Sequence, residues 1–165
     1  MYAVRLGEIF PDASLDALRG MEGARVKATY KQLAKEHGLT WRGRRYDRND
    51  PNKTDPINEA INHASAAMNS AAQIATAAAG CIPQLGFIHE DSGMSFPLDI
   101  ADMNRHDVTV PAAFRALKRK RPDQKLEMVV RKEVASTLRS EKVVAKMIDR
   151  IKDLIDDVGD DDGDV

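Results

Sequence analysis

Residues 55–80 read DPINEAINHASAAMNSAAQIATAAAG, and this stretch decides the fold. Asp55 followed by Pro56 is a helix start. The carboxylate can accept from the first amides, and proline at the first helical position gives up an N–H that had no partner anyway. Ile57, Ile61, Ala64, Met68, Ala71 and Ala75 then recur at spacings of three and four, the helical period. After Ala64 the segment is alanine-rich on nearly every side. Such a helix lies at the centre of a bundle, closely approached by its neighbours. The pattern predicts a central helix running to Gly80.

On its N-terminal side, residues 1–12 give no clear pattern. Ser14 can cap a helix that turns Leu15 and Leu18 inward, continues through Val26, Tyr30 and Leu33, and closes at Gly38 with a left-handed cap. Glu22 stands between Gly20 and Gly23. Glycine inside a helix costs roughly 1 kcal/mol against alanine, so the bracket predicts a close approach to the backbone, or a helix start or bend. Residues 39–55 read as a loop. On the C-terminal side, residues 81–98 are a loop with Pro83, Gly86, Gly93 and Pro97. A short helix opens over Asp99 to Asp102 and another follows Pro111. Two longer ones cover Asp123 to Leu138, through Leu126, Val130 and Val134, and a segment from near Ser140. The last buries Val144, Met147 or Ile148, Ile151 and Ile155, and ends at Gly159. No strand or internal repeat emerges. The fold class is all-α, a multi-helix lobe over 1–158 with an acidic disordered tail over 159–165.

Composition bounds the function. The 165 residues suffice for one domain with a real core. The single cysteine, Cys81, excludes an internal disulfide and points to a reducing, cytoplasmic compartment; its apolar setting suggests a buried, inert thiol. No apolar run reaches the roughly 18 residues that span a bilayer, and no signal peptide is evident. The net charge of −1 hides an asymmetry. Residues 153–165 hold seven Asp and no Lys or Arg, which leaves residues 1–152 with 25 basic against 19 acidic groups. A basic body suits a polyanion partner.

Asp99 and Asp102 are three apart, a spacing that puts two carboxylates on one helical face about 5–6 Å apart at Cβ. A hard cation such as Mg²⁺ or Mn²⁺ between them would relieve their repulsion. Equally, Asp99 could cap the helix and Asp102 could be solvated. His89, ten residues upstream, could be an ordinary loop histidine; beside carboxylates it would favour Mn²⁺ or another transition metal. Glu22 by itself reads as a surface residue marked only by its glycines. His106-Asp107 reads as an exposed helix end, since partners for a metal-binding His-Asp pair are missing. Arg42, Arg44, Arg45 and Arg48 interleave with Trp41 and Tyr46, which allows phosphate contacts and base stacking. A second basic run spans Arg115, Lys118, Arg119, Lys120, Arg121, Lys125, Arg131 and Lys132. Together the two clusters suggest a nucleic-acid path.

Five motifs in order carry a resemblance: Leu18-Arg-Gly-Met-Glu-Gly-Ala-Arg25, Gly43-Arg-Arg-Tyr-Asp47, Asp55-Pro-Ile-Asn58, Gly86-Phe-Ile-His89 and Asp99-Ile-Ala-Asp102. From about residue 5 to 155 the chain resembles the catalytic lobe of the CRISPR-associated endonuclease and integrase, CRISPR-associated protein one, of the Cascade (I-E) subtype. The resemblance implies that Glu22, His89 and Asp102 hold a Mg²⁺ or Mn²⁺ ion, with Asp99 beside them in the catalytic set. It implies phosphodiester cleavage, or transesterification by a DNA 3′-hydroxyl, in spacer acquisition. Arg25, Arg44, Arg45 and Tyr46 would bind double-stranded or branched DNA. CRISPR-associated protein two and a second copy of the chain would be the protein partners. Family members begin with a β-rich domain, which this sequence lacks. The acidic Glu90 and Asp91 stand where a basic residue is more usual.

Overall fold

The computed structural model describes residues 2–3, 7–43, 55–90 and 93–159, with side chains to residue 155. Its helices are α1 (Leu15–Glu36), α2 (Pro56–Ala78), α3 (Ser95–Met103), α4 (Val110–Arg119), α5 (Leu126–Ser140) and α6 (Val143–Gly159). One π-helical turn, Arg105–Thr109, joins α3 to α4. The described residues contain no strand, so the chain is all-α as expected. The acidic segment from residue 160 onward lies outside the described residues.

The centre is α2. Asp55 Oδ1 accepts from the amides of Ile57 and Asn58, both at 3.0 Å, and all six positions picked out by their spacing are buried. Its N-terminal half joins a core with Tyr30 and Ala34 of α1, Phe114 of α4 and Val130 and Val134 of α5. Its C-terminal half joins a second core with Phe96 and Ile100 of α3 and Val143, Met147 and Ile151 of α6. Ala60, Ala64, Ala72 and Ala75 are wholly buried. The alanines are therefore what lets four helices and the π turn close on one axis. A leucine at Ala72 would overpack this contact and cost roughly 1–3 kcal/mol.

α1 begins at Ser14, whose hydroxyl accepts from the Ala17 amide at 3.2 Å. It closes in a Schellman arrangement: Gly38 has φ +68°, its amide reaches Lys35, and the Leu39 amide reaches Ala34. Two expectations fail here. Leu15 is 62 % exposed rather than inward. The helix also continues without a break through Gly20 and Gly23, where an added Cβ would meet nothing within 4 Å among the described residues. The glycines mark neither a start nor a close packing contact among the described residues.

The C-terminal boundaries shift too. α3 starts at Ser95, four residues before Asp99; Pro97 is tolerated because it falls in the first turn, where amides have no intrahelical acceptor. Asp99 is thus inside the helix and does not cap it. α5 starts at Leu126. α6 buries Val143 with Met147 and Ile151, while Val144 is half-buried and Ile155 is 48 % exposed. Cys81 is half-buried, packs on the second core and donates to the Ala79 carbonyl at 3.8 Å. No described helix is long and apolar enough to cross a membrane.

Candidate active site

Asp99 is the pivot of the site. Its side chain is wholly buried in α3, yet its oxygens are well supplied with donors. Oδ2 accepts from the amides of Phe87 at 2.6 Å and Ile88 at 2.9 Å. Oδ1 accepts from the His89 amide at 3.3 Å and stands 2.6 Å from His89 Nδ1. Segment 87–89 is therefore wrapped around one carboxylate. Gly86 makes the wrap possible: a Cβ there would lie 2.4 Å from the His89 carbonyl oxygen and 2.7 Å from Ser95 Cβ. Phe87 leans on Phe96 of α3, ring centroids 5.9 Å apart, which seats the same loop from outside.

These contacts fix the histidine chemically. A carboxylate only accepts, so Nδ1 carries the proton that bridges to Asp99. In the neutral ring Nε2 is then left with its lone pair, the arrangement in which a histidine serves as a metal ligand or base.

Asp102, one turn further along α3, is 12 % exposed and ion-paired with Arg105. Each carboxylate has its own partners within the chain: Asp99 accepts from amides and an imidazole, and Asp102 pairs with a guanidinium. Asp99 thereby fixes the orientation of the His89 ring, and it is not among the residues that line the groove beside them.

That groove, of about 840 Å³, is lined by Glu22 from α1, His89 from the loop and Asp102 from α3. Val26, Tyr30, Trp41 and Ile88 give it apolar walls, and Arg19, Lys27, Lys31, Arg42 and Arg105 surround it with positive charge. Three residues remote in sequence thus face one space. They are not a closed ligand set: among the described residues, no three His, Cys, Asp or Glu side chains are close enough together to hold a metal ion. As donors the imidazole and two carboxylates suit Mn²⁺ or Mg²⁺. To share such an ion they would have to come closer together than they stand here.

The remaining predicted residues divide. Arg25 is exposed on α1 and does not line the groove. Arg44, Arg45, Tyr46 and Arg48 lie outside the described residues. Trp41 is a packing residue as well as a groove wall: its ring meets Tyr30 edge-on at 5.2 Å, and Nε1 donates to Asn58 Oδ1 at 3.4 Å. His106 is not the exposed helix end expected; it is half-buried, with Nδ1 3.0 Å from Thr29 Oγ1. The second basic run is largely spent on structure. Arg115 Nε and Arg119 Nη1 both donate to Glu133, at 2.9 and 2.7 Å, and Arg131 pairs with Glu127. Arg115 also donates to Thr137 at 3.0 Å, clamping α4 to α5.

The cations Arg19, Lys27 and Lys31 were not predicted. The signal was there, because Arg19, Glu22, Gly23, Val26, Lys27, Tyr30 and Lys31 follow one another at helical steps along one face.

Comparison with known proteins shows the family and the fold. Residues 3–152 match the family described as CRISPR associated protein Cas1. The chain is 41 % identical over 155 residues to the CRISPR-associated endonuclease Cas1 of Escherichia coli K12, covering 92 % of this chain and 50 % of that protein. It is 37 % identical over 153 residues to the Cas1 endonuclease of Geobacter sulfurreducens, covering 92 % of this chain and 49 % of that one. The crystal structure of a TtCas1–DNA complex superposes with a TM-score of 0.81 at 33 % identity, over 93 % of this chain and 56 % of that chain. The chain spans about half the length of the curated relatives it matches.

Proposed function

The chain belongs to the Cas1 family of CRISPR-associated proteins, and from that premise we propose that this helical lobe binds DNA in the groove over Glu22, His89 and Asp102 and acts there on phosphodiester bonds. The carrying observation is the convergence of those three residues on one groove that is surrounded by five cations. A polyanion entering it loses its repulsion from the two carboxylates through the surrounding Arg and Lys. The similarity to a Cas1 solved with DNA supports the same reading.

Glu22, His89 and Asp102 would hold Mg²⁺ or Mn²⁺, which when bound polarises the phosphodiester and stabilises the developing charge. His89 supplies Nε2 in a tautomer set by Asp99. Arg105 neutralises Asp102 until a cation or a phosphate competes for one of them. The apolar walls at Val26, Tyr30 and Ile88 exclude water from one side. The attacking group is a DNA 3′-hydroxyl in integration or water in cleavage, so no side-chain nucleophile is required. The place of this chemistry is CRISPR spacer acquisition, with CRISPR-associated protein two and a second copy as partners. The five ordered motifs support the I-E subtype.

The test is nicking and strand transfer on branched DNA with Mn²⁺ or Mg²⁺. Activity is expected, lost in chelator and in Glu22→Ala and His89→Ala. Equal activity in these variants overturns the proposal. A second reading is a DNA-holding module without turnover. It is favoured by the separation of the three ligands and by the half-length match. It predicts salt-dependent DNA binding that persists in chelator and no product on any substrate.

A further inference from the structure

We infer that His106 and Thr29 form a clamp that sets the position of Glu22 relative to Asp102, an inference that rests on the metal-site reading above. Glu22 lies in the weakly held part of its helix. No residue of α1 before Tyr30 is buried, and the helix packs on the body mainly through α4 at its C-terminal end. The site needs Glu22 to approach His89 and Asp102 closely enough to share an ion, and the described structure leaves them short of that. Something must hold the exposed half of α1 over the groove.

A polar bridge ties this part of α1 to the π turn: Thr29 Oγ1 lies 3.0 Å from His106 Nδ1. The Thr29 hydroxyl has one proton, and it lies 3.1 Å from the Arg25 carbonyl. With that proton on Arg25, the hydroxyl accepts from His106 Nδ1–H, so the bridge continues into the α1 backbone one turn from Glu22. At the other end, His106 belongs to the π turn, directly after Arg105. The wider turn sends the two neighbours to different tasks: Arg105 to Asp102, His106 to α1. The turn is itself tied, since the Asn104 carbonyl accepts from the amides of Val108 and Thr109 and from Thr109 Oγ1. A rigid turn thus links the helix bearing Glu22 to the residue that holds Asp102. His106 and Thr29 touch neither substrate nor metal; they are positioning residues.

The experiment compares Thr29→Val, His106→Leu and His106→Asn in the full 165-residue chain. Asparagine keeps an N–H near the place of Nδ1, so it should restore what leucine removes. The first readout is hydrogen exchange of the α1 amides between Glu22 and Thr29, without metal. Losing one part-buried hydrogen bond should speed it about fivefold in Thr29→Val and His106→Leu, and much less in His106→Asn. Unchanged exchange overturns the clamp, whatever the metal does. The second readout is Mn²⁺ titration followed by the signal of the free ion, in the wild-type and Glu22→Gln backgrounds. Positioning predicts that Thr29→Val weakens binding about fivefold in the first and not in the second. An equal loss in both, or no loss in either, overturns positioning of Glu22. Wild-type Mn²⁺ binding that is indifferent to Glu22→Gln, His89→Ala and Asp102→Asn overturns the metal reading, and positioning with it; the exchange data still decide the clamp.

Discussion

Asp99→Asn changes one atom in the most tightly built part of the site. The carboxylate has two acceptor oxygens, each serving two donors: Phe87 and Ile88 amides on Oδ2, the His89 amide and Nδ1 on Oδ1. An amide has one such oxygen. Whichever way it turns, its NH₂ meets N–H groups on the other side, and two hydrogen bonds to a charged acceptor are lost. Each is worth about 1.5–3 kcal/mol. Segment 87–89 is partly exposed, so its amides can turn to water and recover some of this. The low end, about 3 kcal/mol in total, is the expected loss. For a chain of this length that lowers Tm by about 6–12 °C. The helices should survive, because Asp99 holds a loop, and far-UV circular dichroism should be unchanged at 20 °C or so. The decisive measurement is the ¹⁵N spectrum of the His89 ring. The wild type should show Nδ1 protonated, and the variant should show that preference weakened, because an amide oxygen in the place of Oδ1 is a poorer acceptor and an NH₂ there accepts nothing. A Tm fall below about 2 °C with the wild-type tautomer retained would refute the reasoning.

Gly86→Ala should lower Tm by several degrees, since the new Cβ meets backbone at 2.4 Å, whereas Gly20→Ala meets nothing and should stabilise α1 by about 0.5–1 kcal/mol. Urea melts of both variants give the comparison, and equal signs would be contrary to the geometry. Glu133→Ala leaves Arg115 and Arg119 without their shared partner; it should cost about 1–2 kcal/mol in a urea melt with unchanged DNA affinity. Arg105→Ala should split two affinities. Mn²⁺ should bind more tightly once Asp102 loses its competitor, while DNA binds more weakly and the slope of log K against log salt shrinks by about 0.9. Parallel changes in the two titrations would rule out a guanidinium shared between carboxylate and phosphate.

The legible parts of this fold are those whose cause is local. Ser14, Asp55 and Gly38 announce helix ends because a single side chain, or the lack of one, satisfies orphan backbone groups. The buried face of α2 is legible because its apolar residues keep one period for six turns. The start of α3 was hidden for the opposite reason. Met94 makes no side-chain cap, and Pro97 looks like a breaker until its place in the first turn is known. That start is set at a distance, by the Phe96 amide donating to the Pro83 carbonyl at 2.9 Å and by burial of the Phe96 ring. In α6, apolar residues come doubled at 143–144 and 147–148, so two registers one residue apart look alike. Only the surface offered by α2 and α5 decides that Val143 and Met147 go inside.

The same division explains the site. Spacing put Asp99 and Asp102 on one face, and the helix does so, yet their roles differ because their neighbours come from other segments. Residues 87–89 fold back over Asp99, so its charge is absorbed by donors that no helical spacing could reveal. Arg105 lies three residues beyond Asp102, and that pairing was within reach of the sequence. Glu22 has only its flanking glycines as a local mark; an added Cβ at either would meet nothing among the described residues, and its neighbours on α1 are mostly exposed. What sets it apart is the groove across which it faces His89 and Asp102. Asp99 and Asp102 are held by partners on α3, its following turn and the loop packed on it, whereas Glu22 stands on a helix with no buried residue before Tyr30, so a ligand entering the groove would act chiefly on the position of α1.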